Sequence, residues 1–143
     1  MGERTVSFIL RGVQHEIELS DPDVTDLDSE FVTQSGNFYF LAAAHARAER
    51  DEKGAKYDLE CAYAQLDKEY RATLSGGKVT EKVIESNILT DARYVAMQNK
   101  YLDAVENTGV LRAACEAMRQ RKDMLVQLGA QRRAEASAGF GTT

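Results

Sequence analysis

Residues 94–129 read YVAMQNKYLDAVENTGVLRAACEAMRQRKDMLVQLG, and this stretch decides the predicted fold. Mostly apolar residues recur in it at spacings of three and four over about five heptads, which is the pattern of one face of an α-helix. The members of this stripe are Tyr94, Met97, Tyr101, Ala104, Thr108, Leu111, Cys115, Met118, Lys122, Leu125 and Gly129. Because a stripe of this length needs another helix to cover it, the sequence predicts helix packing and assembly.

Further helices are predicted on either side of this stretch. Apolar residues follow one face over Asn37–Leu74, and a Ser-Gly-Gly turn ends that helix, since glycine accepts the left-handed conformation of a helix C-terminus. A short helix over Thr80–Ile88 and a long one over Asp91–Leu128 follow, with Thr80 and Thr90 as the predicted N-caps and Gly129 as the stop. Long helices joined by a short connection favour antiparallel packing.

The N-terminal quarter reads differently. Thr5–Leu19 is predicted to form a β-hairpin around Arg11-Gly12, because apolar and polar residues alternate after the turn and glycine can supply a positive φ. A lone hairpin is marginal in water, so we expect it to pack on a helix or on a neighbouring subunit. Thr25 is the predicted cap of a short acidic helix, and residues 34–37 are the predicted link to the first long helix.

The long helices carry more apolar residues than one partner helix can cover. Val95, Leu102, Val105 and Val110 lie beside the main stripe, and Met124 and Leu128 flank it further along. A homo-oligomer with closed rotational symmetry is the usual way to bury such surface, and it is predicted here.

Composition places the chain among soluble, single-domain proteins. It has 143 residues, 43% hydrophobic and 29% charged, with one proline. No apolar run is long enough to span a bilayer, and the first residues lack the pattern of a secretion signal, so we expect a cytoplasmic protein, in the host cell if the source is viral. Cys61 and Cys115 are then expected to be reduced core residues.

No pattern of catalytic or ligating residues stands out. His15 and His45 have no metal-ligand spacing to a cysteine or to each other, and Gly76-Gly77-Lys78 lacks the rest of a P-loop motif. The spacing in the acidic segment 21–30 lacks the central glycine and the terminal glutamate of a calcium-binding loop, and Pro22 interrupts it. The sequence therefore predicts a protein without enzymatic activity, cofactor or metal.

Charge is distributed unevenly along the chain. Residues 1–36 hold two arginines and eight acidic residues, whereas residues 112–143 hold six basic and three acidic residues. One basic group surrounds the Ser-Gly-Gly turn: Lys68, Arg71 and Lys78, with Tyr70 among them. A second lies on the last helix: Arg119, Arg121, Lys122, Arg132 and Arg133. Such residues could contact phosphates and stack on bases around an oligomer, or they could be a solvated helix surface with i,i+4 pairs.

The segment AMRQRKDMLVQLGAQRRAE, residues 117–135, resembles the C-terminal helix of the UvsY-type phage recombination mediators. Matching positions are the basic Arg119, Arg121 and Arg132, the acidic Glu135 and the apolar Met118, Leu125 and Leu128. The order of a long charged helix, a Ser-Gly stop, a short segment and a second long helix agrees as well, over residues 37–137.

This resemblance implies an open ring of several subunits without enzymatic activity. Such proteins bind single-stranded DNA covered by a single-strand binding protein and help to load a RecA-like recombinase. In the family, basic residues at the end of the first long helix lie on the ring rim. Lys68 occupies that place here, with Arg71 and Lys78 close by, and Tyr70 could stack on a base.

The sequence therefore predicts a mainly α protein, a long antiparallel helical hairpin with a small N-terminal β-hairpin, that forms a ring-shaped homo-oligomer. The predicted parts are an acidic arm with a hairpin and a short helix (1–36), a helical oligomerisation and DNA-binding core (37–135) and a disordered tail (136–143). The predicted DNA-binding residues are Lys68, Tyr70, Arg71, Lys78, Arg119, Arg121 and Lys122. The alternative function is a phage structural or scaffolding oligomer that does not bind DNA.

Overall fold

A computed structural model describes residues 4–19, 22–23, 25–74, 76–77 and 79–140. Its elements in chain order are β1 (Arg4–Leu10), β2 (Val13–Leu19), α1 (Leu27–Thr73), α2 (Glu81–Thr90) and α3 (Ala92–Phe140). The prediction of a mainly helical chain with a small N-terminal hairpin is confirmed. Within the described ranges, the helices contain no stretch that is long and apolar enough to cross a membrane.

The two strands pair in antiparallel register, with Phe8 opposite His15. The turn between them holds Arg11 at φ 53° and Gly12 at φ 76°, the pair of positive angles that a tight hairpin turn requires. Phe8 is 2% exposed, its ring stacks on His15 at 5.7 Å, and the Phe40 ring of α1 lies 6.1 Å from Phe8. The hairpin therefore packs on a helix, as expected.

The first long helix begins earlier than predicted. α1 runs without a break from Leu27 through residues 34–37, so the predicted short helix and link are wrong. Its start is set by Asp26, whose side chain accepts a hydrogen bond from the Ser29 N–H at 3.3 Å, and not by Thr25. The helix continues through Gln34 because that side chain is 5% exposed and is held by hydrogen bonds to a distant part of the chain.

The last helix ends later than predicted. α3 passes through Gly129 and reaches Phe140, so the predicted stop is wrong, and the predicted tail is wrong for residues 136–140; residues 141–143 lie outside the described ranges. Alanine and arginine, which are strong helix formers, make up six of the eleven residues 130–140. Gly129 itself lies against the Phe31 ring, 3.6 Å from the position a Cβ would take.

Of the two predicted threonine N-caps, one is confirmed and the other is wrong. Thr80 precedes α2, and its hydroxyl accepts a hydrogen bond from the Val83 N–H at 3.3 Å. Thr90 belongs to α2 and does not cap α3. Asp91 takes that role, because its carboxylate accepts the Arg93 N–H at 2.8 Å and a carboxylate is a stronger acceptor than a hydroxyl.

The residues divide into two compact units. Unit 1 comprises Met1–Arg47 with Gly109–Thr143, and unit 2 comprises Ala48–Thr108. In unit 1, α1 and α3 run in opposite directions, since Phe31 meets Gly129 whereas Phe38 meets Arg119. Its buried core includes Leu41, Ala44, Leu111, Ala114, Met118 and Leu125.

Unit 2 has its own core and its own cross-helix ion pairs. Leu66 of α1 packs with Ile84 and Ile88 of α2, and Tyr70, Val79 and Tyr94 pack against this cluster. The α1 and α3 segments again run in opposite directions, as two ion pairs show. Asp58 pairs with Lys100 at 3.7 Å, and Glu69 pairs with Arg93 at 2.8 Å.

Of the eleven residues of the predicted stripe, five are buried, five are half-buried and one is exposed. Leu111, Cys115, Met118 and Leu125 are all buried in unit 1, whereas Lys122 is exposed. Both cysteines are free thiols. Cys115 is buried as predicted, but Cys61 is exposed, because it points away from the α1 face that carries the buried Ala55 and Leu66.

Candidate nucleic-acid interface

In unit 2, Arg71 joins the end of α1 to the start of α2. Its Nη1 donates to Glu81 at 2.8 Å, and its Nε donates to Asp67 at 3.0 Å. The hydrogen bonds that Arg71 donates to Glu81 and then to Asp67 raise the pKa of Arg71, and the bond to Glu81 lowers the pKa of Glu81. A phosphate would therefore have to compete with two carboxylates for this guanidinium.

Tyr70 is also engaged within unit 2. Its hydroxyl donates to the Asp91 carboxylate at 2.7 Å, and its ring packs against the cluster formed by Leu66, Ile84 and Ile88. The bond to Asp91 raises the pKa of Tyr70, while hydrogen bonds from Arg93 and then from Tyr70 hold the pKa of Asp91 well below its usual range. The ring thus has a structural position at the junction of all three helices of the unit.

Lys68 is exposed on α1, and Lys78 lies outside the described residues. The structure therefore brings the described members of the first predicted group into one region, but in different roles. Lys68 presents its ammonium group to solvent, whereas Arg71 and Tyr70 hold the ends of helices together.

In unit 1, Arg121 is largely withdrawn from solvent. Its side chain forms an ion pair with Glu30, and the two side chains are 13% and 17% exposed. Its Nη1 also donates to the Gln34 Oε1 at 2.7 Å, and the Gln34 Nε2 donates to the Met118 carbonyl at 2.8 Å. This network anchors the first turns of α1 to α3, so Arg121 has a structural position.

Of the other two predicted residues of α3, Lys122 is exposed, and Arg119 is exposed beside an aromatic ring. The Arg119 guanidinium lies 5.8 Å from the centre of the Phe38 ring, within the range of a cation–π contact, and also pairs with Glu116 at 3.4 Å. Further along, the Arg133 Nη1 and the Phe31 ring each lie 3.6 Å from the Cβ position of Gly129.

These contacts define an aromatic–basic face on unit 1, made of Phe31, Phe38, Arg119, Lys122 and Arg133. Phe31 and Phe38 are one heptad apart on α1, and Arg119 and Arg133 are two heptads apart on α3, so each pair shares a side of its helix. Lys122 falls on the same side of α3 and is exposed. Exposed cations interleaved with aromatic rings suit a single strand, whose phosphates and bases need both.

Sequence reasoning missed both phenylalanines and left Arg133 out of the predicted site. A signal existed in the heptad spacing of Phe31 and Phe38, and in the absence of any acidic residue on α1 between Phe31 and Glu49. The unforeseen length of α1 concealed it, because residues 31 and 38 were assigned to different elements.

Among the residues that the structure describes, no group of three or more His, Cys, Asp or Glu side chains comes together where a metal ion could bind. Comparisons of the chain with protein-family models, with curated proteins and with solved structures give no match. The exposed cations and aromatic rings of unit 1 suit binding through charge and stacking.

Proposed function

We propose that this protein binds single-stranded DNA as a homo-oligomer and acts as a recombination mediator. The observation that carries the proposal is the Arg119 guanidinium over the Phe38 ring, with Lys122 and Arg133 exposed on the same face. Cations at this spacing can follow a phosphate backbone, while the Phe31 ring, 40% exposed, offers bases a stacking surface that does not read their hydrogen-bonding groups. Binding of this kind is strong only when several copies act together.

Exposed apolar residues support the oligomer. In unit 2, Val95 is 43% exposed, Leu102 is 51% exposed and Val105 is 38% exposed, and all three lie on one side of α3 at heptad-like spacing. A second stripe of this kind beside the buried one is typical of a helix that meets two neighbours. A ring would bury these residues and would repeat the aromatic–basic face around its circumference.

The role in loading a RecA-like recombinase onto strands covered by single-strand binding protein rests on the resemblance of residues 117–135 to the UvsY-type mediators. Arg119 lies in that segment and on the aromatic–basic face, which links the resemblance to the geometry. Lys68, exposed on unit 2, is a further proposed contact for DNA.

A salt titration with fluorescein-labelled oligo-dT tests DNA binding. Each phosphate contact on a single strand contributes a slope of about −0.7 in a plot of log K against log salt concentration. The double variant Arg119→Ala/Arg133→Ala should reduce the magnitude of the slope by about 1.4 per subunit engaged. The matched control is Lys53→Ala, which removes an exposed lysine from α1 of unit 2 and should leave the slope unchanged. An unchanged slope in the double variant would remove the proposed interface.

Sedimentation velocity tests the oligomer. The protein at micromolar concentration should sediment as a species of several subunits, and Leu102→Asp should shift it towards single subunits because a charge in a buried contact is unfavourable. Val32→Asp, in which a residue that is 76% exposed on α1 is changed, is a control for the effect of a new charge on unit 1. A stable monomer at this concentration contradicts the ring.

The alternative is a structural or scaffolding oligomer without affinity for DNA. It is favoured by the number of arginines that carboxylates already engage: Arg71, Arg93 and Arg121 all take part in ion pairs. The same oligo-dT titration separates the two functions, since a scaffold should show no saturable, salt-sensitive binding.

A further inference from the structure

A cavity of about 420 Å³ lies in unit 1 between the turn end of the hairpin and α1. We call it the hairpin cavity. Its apolar lining comes from Leu10 and Val13 of the strands and from Phe40 of α1, with two alanines beside it. Arg11, His15 and Arg47 also line it, and none of the described residues around it is acidic. An apolar cavity bordered by two arginines can hold a ligand that is apolar at one end and anionic at the other.

Arg11 occupies a backbone conformation that arginine rarely adopts. Its φ is 53°, in the left-handed region where asparagine, aspartate and glycine are common and where other residues are strained by about 1 kcal/mol. A hairpin turn of this type would be more stable with asparagine at that position. Strain of this kind concentrates at functional sites, and here it holds a guanidinium beside the cavity.

We propose that the hairpin cavity binds an extended acidic peptide segment of a partner protein through an apolar anchor side chain. The anchor enters between Val13 and Phe40, and the carboxylates that flank it pair with Arg11 and Arg47. Among the described residues the sheet has two strands, so an extended segment can add as a third strand at the outer edge of β2. This surface is distinct in chemistry from the aromatic–basic face, and its function does not depend on DNA binding.

The lining favours a peptide over other anions. A nucleobase buried in this cavity would need a partner for each polar atom of its edge, whereas the described lining beyond the two arginines has one polar side chain, His15, among Leu10, Val13 and Phe40. An aliphatic or aromatic side chain needs no such partner, and a peptide alone can use the strand edge. The two arginines flank the cavity, which suits several carboxylates along a chain better than a single charged head group.

Fluorescence anisotropy with a labelled octapeptide of sequence DEDEDELF tests the proposal on the full-length protein. The peptide should bind saturably, and NQNQNQLF and DEDEDESS should bind at least about tenfold more weakly, because each lacks one half of the required chemistry. Arg47→Ala and Arg11→Asn should each weaken binding about tenfold. Arg50→Ala, three positions along α1 and not part of the lining, should change it less than about twofold.

Arg11→Asn separates a binding role from a structural one. Asparagine suits the turn, so the melting temperature should stay equal or rise while peptide affinity falls. Binding of oligo-dT should be unaffected in this variant. The proposal is overturned if DEDEDELF shows no saturable binding up to about 1 mM, or if Arg50→Ala weakens it as much as Arg47→Ala does. Displacement of the peptide by oligo-dT or by laurate, with the same sensitivity to Arg47→Ala, would assign the cavity to nucleic acid or to lipid and would also overturn it.

Discussion

Replacing Arg121 by alanine is expected to destabilise the protein by about 3 kcal/mol, although the adjacent Lys122 can be replaced at almost no cost. Both are cations on the same turn of α3. Arg121 is 13% exposed and paired with Glu30, whereas Lys122 is exposed. The difference in their surroundings therefore decides the expected difference in stability.

The expected loss in the free energy of unfolding follows from the polar groups that would lose their partner when Arg121 is replaced. The Glu30 carboxylate, 17% exposed, would keep the weaker hydrogen bond from the Asp23 N–H at 3.2 Å but would lose its cation. The Gln34 Oε1 would lose the Arg121 donor at 2.7 Å while the amide remains tied to Met118. Removing one partner of a buried ion pair costs about 3–5 kcal/mol, and the residual exposure of Glu30 places the value at the lower end. Alanine suits a helix, so propensity adds little.

Urea denaturation followed by circular dichroism at neutral pH measures this value directly. In a separate thermal denaturation, Arg121→Ala should lower the melting temperature by about 10 °C, given about 2–4 °C per kcal/mol for a chain of this size. Lys122→Ala is the control, with an expected change below about 0.5 kcal/mol. In a double-mutant cycle with Glu30→Ala, the coupling energy should reach about 2 kcal/mol.

A change below about 0.5 kcal/mol in Arg121→Ala, or additive effects of Arg121→Ala and Glu30→Ala, would refute the reasoning. Either result would mean that the ion pair does not anchor the start of α1. Equal destabilisation by Lys122→Ala would mean that the heptad position of a residue, and not its ion pairing, determines its contribution.

Three further predictions concern other parts of the molecule. The pKa of Asp91 is depressed from its ordinary value of 3.8, so the contribution of its carboxylate to stability is present above about pH 4 and is lost as the pH falls further. The urea midpoint should therefore fall less steeply between pH 5 and pH 2 in Asp91→Asn than in the unsubstituted protein. Leu111, fully buried in unit 1, should cost about 3–5 kcal/mol when replaced by alanine, and a loss below 1 kcal/mol would contradict the close packing of this position. Phe38→Ala should weaken oligo-dT binding about tenfold through lost stacking while the oligomer persists, and unchanged affinity would remove Phe38 from the interface.

Several elements could be predicted because their cause is local. The hairpin follows from alternation and from Gly12, and the start of α2 follows from Thr80, whose hydroxyl accepts a hydrogen bond only three residues away. The buried stripe of α3 follows from the heptad spacing of its apolar residues. In each case the deciding residues lie within one or two turns of one another in the sequence.

The start of α1 could not be predicted in the same way. Ser35, Gly36 and Asn37 have weak helix propensity, so residues 34–37 are typical of a link between two helices. The helix continues because the Gln34 amide bonds to the Met118 carbonyl and its oxygen to Arg121, residues far along the chain. Tertiary contacts of this kind override propensity, and no local pattern reports them.

The features of the candidate site also fall into those with a local cause and those set by tertiary contacts. The sequence by itself determined that α3 is basic and that Arg119, Arg121 and Lys122 fall on one short stretch of it. Only the tertiary structure decided that Arg121 is paired in the interior, that Arg119 lies over the Phe38 ring and that Lys122 is exposed. The physical reason is that charge and periodicity are properties of neighbouring residues, whereas the partner of a long side chain is whichever group a distant segment brings within a few ångströms of it.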